Sequence, residues 1–408
     1  MSRNWNDGAA PYLSAANLNS LEADVTSALG VPDGALASRI NDPGSSARGA
    51  LDAKYAKVLS PQSGSVKDYN PALNVYNLFP KHLRRTRTAA AKARAGAGFW
   101  QVSFIGDSIT AGQGGTPGST GWADQVYTML SNAGYGSSGT GWASAYTNVA
   151  DSRWTVGAGW ASQGTQSTLM QNNTTANPLT FTSTVAGTSC YVYYYQGAGA
   201  AGTFTVSIDG GAGVTVTPAG GDAIGTYSVT GLTNATHSIA VVRTGTTNVN
   251  IAGVEVRSAS TGVHHQKVAI GGAGITTINS TNGFGLCNMT ATPWAADTVF
   301  LAIGTNDATG GATTSAMTSY LATSIGLLRT GNSPDIILVN EPPRSDGNIS
   351  ALAPAIYATA DTYDLPVIDW MDRWGTYSAM STLYADVAHP TPSGHGDFAR
   401  SVVAALGL

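Results

Sequence analysis

The chain has 408 residues, more than one ordinary hydrophobic core holds, so two or three domains are expected. Charged residues make up only 11% against 42% hydrophobic, with 50 glycines, a balance that suits β-rich extracellular or virion proteins better than cytosolic enzymes. The net charge of −4 gives no reason to expect a nucleic acid partner. No apolar run approaches the roughly 18 residues of a membrane span, so none is expected.

The N-terminus, MSRNWNDGAAPYL, shows no apolar core of a secretory signal. Residues 1–80 are polar and broken by Gly, Pro and Asn, and read as an anchoring or oligomerisation segment. Within them Leu18, Leu21, Val25 and Leu29 form one narrow helical stripe, which Gly30 and Pro32 stop. Such a stripe needs a partner, either the rest of its domain or other copies, a trimer being the guess. Residues 81–98 contain KHLRRTRTAAAKARA, a basic helix read as a linker with a solvated face. It has no interleaved aromatics to stack bases.

From residue 99 the pattern becomes α/β. FWQVSFI predicts a strand, and Trp122, Val126, Met129 and Leu130 predict a helix over about 121–133. Residues 145–265 then read as all-β. FTVSID points Phe204, Val206 and Ile208 inward, Gly210-Gly211 marks a hairpin turn, and YVYYY, TYSV, HSIAVVR and VNIAGVEV add strands. A sandwich or jelly roll inserted into the α/β domain is expected, carbohydrate-binding-like in character. The α/β rhythm resumes with KVAIGG, TVFLAIG, a helix near 313–329, DIILVN, LPVID and a last helix over about 392–406. Apolar strands alternating with amphipathic helices imply a parallel sheet covered on both faces.

In such sheets ligands bind at the carboxyl ends of the strands. The residues there are Gly106-Asp107-Ser108-Ile109, Gly271 to Gly274, Gly304-Thr305-Asn306-Asp307 and, before the last helix, Asp386 to Pro390. They suit nucleophilic catalysis. Ser108 would sit at a helix N-terminus, His389 would take its proton, and Asp386 three residues earlier would hold the imidazole tautomer. The Ser108 and Gly274 amides and the Asn306 side chain would form an oxyanion hole. No metal or cofactor is called for.

GDSIT, GTND and DVAHP, in this order and with the weaker GGAGITT between the first two, resemble blocks I, III, V and II of the SGNH (GDSL-like) hydrolase superfamily. The resemblance covers residues 99–144 and 266–408. It implies a flavodoxin-like three-layer α/β/α fold and ester hydrolysis through an acyl-enzyme, without a metal. The β insertion departs from a minimal member and leaves the substrate open. SAANLNSLEADV and INDPGSSARGALDAKYA resemble the start of tail-associated proteins of actinobacterial phages, which implies a virion or extracellular setting. The expected function is deacetylation of a cell-envelope glycan. The alternatives are a lipase acting on envelope lipids and a non-catalytic glycan-binding tail protein.

Other residues carry weaker expectations. Arg344, in the EPPR loop, would bind a substrate carboxylate or glycan, or make a loop salt bridge. Asp107 and Asp307 are expected as structural hydrogen-bonders. His264, His265 and His395 lack metal-ligand spacing and are expected on the surface or in loops. Tyr193, Tyr194 and Tyr195 would offer a sugar-stacking face or fill a core. Cys190 and Cys287 would form one disulfide or stay as buried thiols.

Overall fold

The computed structural model describes residues 69–407 apart from 146–150, 163–168, 173, 175, 198–201, 283–284 and 347. The helical stripe at Leu18 to Leu29 and the phage-like segment lie outside the described residues.

Five parallel strands build the α/β sheet: β1 (Phe99–Gly106), β2 (Gly262–Ala269), β3 (Thr298–Ala302), β4 (Asp335–Asn340) and β5 (Val367–Asp369). Their spatial order is β2-β1-β3-β4-β5, the flavodoxin-like winding. The chain reverses direction across the sheet between β1 and β3, which opens a crevice at their carboxyl ends. Apolar residues run without alternation because both faces are covered. Val102, Phe104, Phe300, Ala302, Ile337 and Val339 share one core with helices α1 (Arg84–Arg94), α3 (Trp122–Leu130) and α6 (Pro392–Leu406). Ile105, Leu301, Ile336 and Leu338 are buried too. Helix α5 (Ala353–Tyr363) lies against β4 and β5 and packs on α4 (Thr314–Arg329).

The domain reaches further back than its sequence pattern suggests. Val75–Tyr76 pairs antiparallel with β5. Helix α1 is a packed layer of the fold, not a solvated linker. Thr86, Ala89, Ala90 and Ala93 are buried, Arg85 Nε donates to Asp297 at 2.9 Å, and the Thr86 amide donates to Asp335 at 2.7 Å. Its small alanines let the helix lie close on the sheet, while Arg84, Arg87 and Lys92 stay partly or fully exposed.

The insertion is a two-sheet antiparallel sandwich. One sheet runs Val214–Val216, Phe204–Ile208, Ser238–Arg243, Leu179–Thr182 and Trp154–Val156. The other runs Ile224–Ala235, Gly187–Tyr195, Val249–Arg257, Met170–Asn172 and Trp160–Ser162. Phe181, Phe204, Val206, Ile239 and Val241 of the first meet Cys190, Val192, Tyr194, Ile251 and Val256 of the second. Strand Val249–Arg257 of the second sheet is buried on its other face as well, because it lies against the α/β domain, whereas the edge strand Ile224–Ala235 stays largely exposed. Tyr193 stacks on Trp142 with centroids 4.0 Å apart, and its hydroxyl donates to Glu255 at 2.8 Å. Tyr193 and Tyr194 are thus core residues and offer no sugar-stacking face.

This seam also relocates two histidines. β2 starts at Gly262, so His264 and His265 are buried strand residues, not surface or loop ones. The His264 Nε2 meets the Glu255 carboxylate, which Arg257 also contacts at 2.9 Å. Burial alone would raise the Glu255 carboxyl, but His264 and Arg257 hold it down at about 2. His265 lies against the Tyr127 ring, centroids 4.0 Å apart, and burial pushes its imidazole down to about 3. Cys190 and Cys287 are both buried and unpaired.

Candidate active site

The crevice beyond β1 and β3 gathers the residues that end those strands. β1 finishes at Gly106, where a Cβ would lie 2.2 Å from Thr110 Oγ1 and 2.5 Å from the Ala302 carbonyl, so only glycine fits. Asp107 follows as the cap of the short helix α2 (Ser108–Ala111), its Oδ1 accepting the Ile109 amide at 2.9 Å. Ser108 is the first residue of that helix and is only 3% exposed.

The partner of Ser108 arrives on the turn before α6. Ser108 Oγ lies 2.8 Å from His389 Nε2, and His389 Nδ1 lies 2.8 Å from Asp386 Oδ2. Asp386 Oδ1 also accepts the amides of Ala388 at 2.9 Å and His389 at 2.8 Å. Burial would raise the Asp386 carboxyl, but those amides and the imidazole outweigh it and hold it below the usual range. An ionised Asp386 accepts from Nδ1–H, which leaves the Nε2 lone pair facing the serine hydroxyl. The turn is pinned from several sides. Ala385 N donates to the His389 carbonyl at 2.8 Å, Tyr377 Oη to the Asp386 carbonyl at 3.1 Å, and Thr391 N to the Leu383 carbonyl at 2.7 Å.

The candidate oxyanion donors lie on the turns that follow β1, β2 and β3. The amides of Ser108 and Gly274 have no hydrogen-bond partner among the described residues. Gly274 is half-buried and carries no side chain because Asp307 Oδ1 would sit 2.8 Å from its Cβ. Asp307 accepts the next amide, Ile275 N, at 3.0 and 3.1 Å through its two oxygens. Asn306 follows β3 through Gly304, whose φ of +146° suits glycine. Its Nδ2 donates to Asp107 Oδ2 at 3.0 Å and to the Ala273 carbonyl at 2.9 Å. Both amide hydrogens are thus engaged. Asn306 reaches an oxyanion only by exchanging one of these bonds.

Three further residues frame the site. Glu341, directly after β4, is fully buried and accepts the Thr305 amide at 2.9 Å. His395 of α6 is fully buried rather than on the surface; its Nδ1 accepts the Trp122 amide at 3.3 Å and its Nε2 donates to the Gln113 carbonyl at 2.9 Å. Burial pushes its imidazole down to about 4 and keeps it neutral. It ties the loop after α2 to the helix that follows His389. His395 was expected on the surface or in a loop, and Glu341 does not stand out in the sequence because it falls in an apparent loop. The only signal is its place after an apolar strand. Arg344 makes a loop salt bridge with Asp346, both contacts at 3.2 Å. Its neighbour Ser345 donates to the Val387 carbonyl at 3.1 Å, so this loop borders the Asp386–His389 turn.

Residues 242–396 match the model of the GDSL-like Lipase/Acylhydrolase family. That segment contains Gly274, Asn306, Asp386 and His389 and begins after Ser108 and most of the sandwich. No curated protein matches the chain by sequence. Among solved structures, the chain is similar to a peptidoglycan O-acetylesterase, 16% identical over 79% of this chain and 95% of that one, with a TM-score of 0.59. It is also similar to a two-domain esterase active on acetylated mannans, 12% identical over 83% of this chain and 57% of that one, TM-score 0.43. A family two carbohydrate esterase from Clostridium thermocellum covers 62% of this chain and 96% of its own at 13% identity and a TM-score of 0.30. The α/β winding and the serine–histidine–carboxylate relay at its crevice thus accompany a segment, residues 242–396, that matches the GDSL-like lipase/acylhydrolase family.

Proposed function

We propose that Ser108 is the nucleophile, His389 the general base and Asp386 the residue that orients it, and that the substrate is an acetylated glycan of a cell envelope. The observation that carries the chemistry is the relay itself, two contacts of 2.8 Å aligned from Asp386 through His389 to Ser108. Ser108 Oγ attacks the ester carbonyl while its proton passes to His389 Nε2. The oxygen that becomes negative is taken up by the Ser108 and Gly274 amides, and by Asn306 once it releases Asp107 or Ala273. Collapse expels the sugar alcohol, which takes the proton from His389. A water then attacks the acyl-serine by the same route and releases acetate.

The substrate class rests on the peptidoglycan O-acetylesterase that shares the fold. The resemblance of the N-terminal segment to phage tail proteins supports a virion location and a trimer, which light scattering of the purified chain checks. The test of function is acetate release from envelope polysaccharides, with Ser108→Ala as control. Equal release by the two proteins would sink the proposal. A rate that climbs from C2 to C16 p-nitrophenyl esters would point to envelope lipids instead.

A further inference from the structure

Ser108 and His389 stand on separate elements 281 residues apart, so their 2.8 Å contact depends on whatever fixes α2 against the turn before α6. The loop that follows α2 touches both. It is tied to the nucleophile at its start: the Gln113 amide donates to the Ser108 carbonyl at 2.9 Å, and the Gly112 amide to the same oxygen at 3.1 Å. One residue later it meets the base. A Cβ on Gly114 would overlap the Pro390 carbonyl oxygen and lie 3.2 Å from His389 Cβ, and the Gly114 φ of +87° is one that glycine adopts freely. The loop is also held from outside. His395 Nε2 donates to the Gln113 carbonyl at 2.9 Å, and Gln125 Nε2 donates to the carbonyls of Thr120 at 2.7 Å and Pro392 at 3.2 Å. At its far end the Gly118 amide donates to Asp124 Oδ2 at 3.1 Å, and the Arg153 guanidinium of the sandwich would lie 2.9 Å from a Cβ on Gly118.

We propose that Gly114 is a positioning residue of the hydrolytic site: the Gln113–Gly114 turn is the spacer that sets the distance from His389 Nε2 to Ser108 Oγ, and only glycine makes it thin enough. The inference rests on the reading of Ser108 as nucleophile and His389 as base. A methyl group at Gly114 pushes the His389–Pro390 backbone away from α2. Asp386 moves with it, because its Oδ1 accepts the His389 amide within the same turn. The imidazole then keeps its tautomer but loses its reach. His389 uses that reach twice, first to take the Ser108 proton and then to hand it to the departing alcohol. The second transfer matters most when the leaving oxygen is strongly basic, as in a sugar alcohol. It matters little for p-nitrophenolate, which leaves unprotonated.

The experiment compares kcat/KM of the full chain on p-nitrophenyl acetate and on phenyl acetate, whose leaving oxygen is more basic, for wild type, Gly114→Ala, His395→Gln and Ser108→Ala, with a melting curve for each. Gly114→Ala is expected to lose about tenfold on the first ester and about 10²-fold on the second, the scale of a catalytic group displaced by about 1 Å. A purely structural defect lowers the amount of folded enzyme, and hence both rates by one factor. His395→Gln adds no atom at the turn but loosens its tether to α6. It is expected to show the same bias, about threefold and about tenfold, and it carries the test if Gly114→Ala does not fold. Equal losses on the two esters in a folded variant, or wild-type rates on both, overturn the proposal. Full activity of Ser108→Ala would instead overturn the reading of the site.

Discussion

Replacing Asp386 by Asn tests how the imidazole is oriented. In the native turn Asp386 Oδ1 accepts the Ala388 and His389 amides, and the carboxylate also takes His389 Nδ1–H. An asparagine oxygen can keep the two backbone bonds, so the turn should survive. With the side chain 47% exposed, the change in stability should stay under about 1 kcal/mol. The asparagine NH2 would then face Nδ1, which must accept. The ring proton moves to Nε2, 2.8 Å from Ser108 Oγ, and the base is lost. The same change in a serine protease triad costs about 10⁴ in kcat. Water can reach this half-exposed site and partly restore the other tautomer, so about 10³ is expected here, or about 4 kcal/mol of barrier. Asp386→Ala should be less damaging than Asn by about tenfold, because water at the vacated site does not impose the wrong tautomer. Steady-state hydrolysis of p-nitrophenyl acetate at neutral pH, beside a melting curve for each protein, measures both effects. A loss under tenfold in a folded Asn variant, or an alanine variant worse than it, would refute this account.

Three other outcomes follow from the buried polar groups. Lys267→Met should destabilise by about 3–5 kcal/mol, since the Lys267–Asp124 contact of 2.8 Å is 11% and 8% exposed and the change strands the carboxylate. Denaturant melts should show the gap between variant and wild type narrowing as the pH falls through the Asp124 pKa, which Lys267 draws down against burial. His265 and His395 have folded pKa values lowered by burial to about 3 and about 4 from 6.5, so their stabilisation is present above pH 6.5. It should be lost as the pH falls from there through those values, and a Tm that stays flat from pH 6.5 to about 4 would contradict it. Burial pushes the Cys190 and Cys287 thiols up to about 12, so a thiol reagent at pH 8 should label the protein only after denaturation.

Much of the α/β domain is legible in the sequence because strands buried on both faces leave apolar runs of strand length. VSFI, VFLAI and DIILVN fall in β1, β3 and β4, and helices α3, α4 and α6 follow their apolar spacing. The residues after those strands were found by the same reasoning, which is why Ser108, Asn306 and His389 converge. Helix α1 was read as a linker because alanine has little hydrophobic contrast, and its packing shows only against the sheet. His264 and His265 looked like loop residues because polar pairs normally interrupt strands. Here Glu255 and the Tyr127 ring, both distant in sequence, make them tolerable in a core. Glu341 was invisible for a related reason. Its hydrogen-bond partner, the Thr305 amide, lies 36 residues away in the chain, so nothing in the local sequence announces the buried carboxyl.

The insertion has a consequence for how the protein reaches its native state. β1 and β2 are adjacent in the sheet, yet residues 107–261 lie between them. Ser108 is synthesised before the sandwich, and Gly274, Asn306 and His389 after it. The first sheet contact on that side therefore closes a loop that holds a whole domain, and chains rich in such distant contacts fold slowly. A sandwich that folds early brings Ala143–Ser144 and Val249–Arg257 together and cuts that loop to residues 107–142 on the β1 side and 258–261 on the β2 side. The insertion then acts as a scaffold for closing the hydrolase sheet, and mutations that weaken its core should lower the yield of active enzyme before they change its rate.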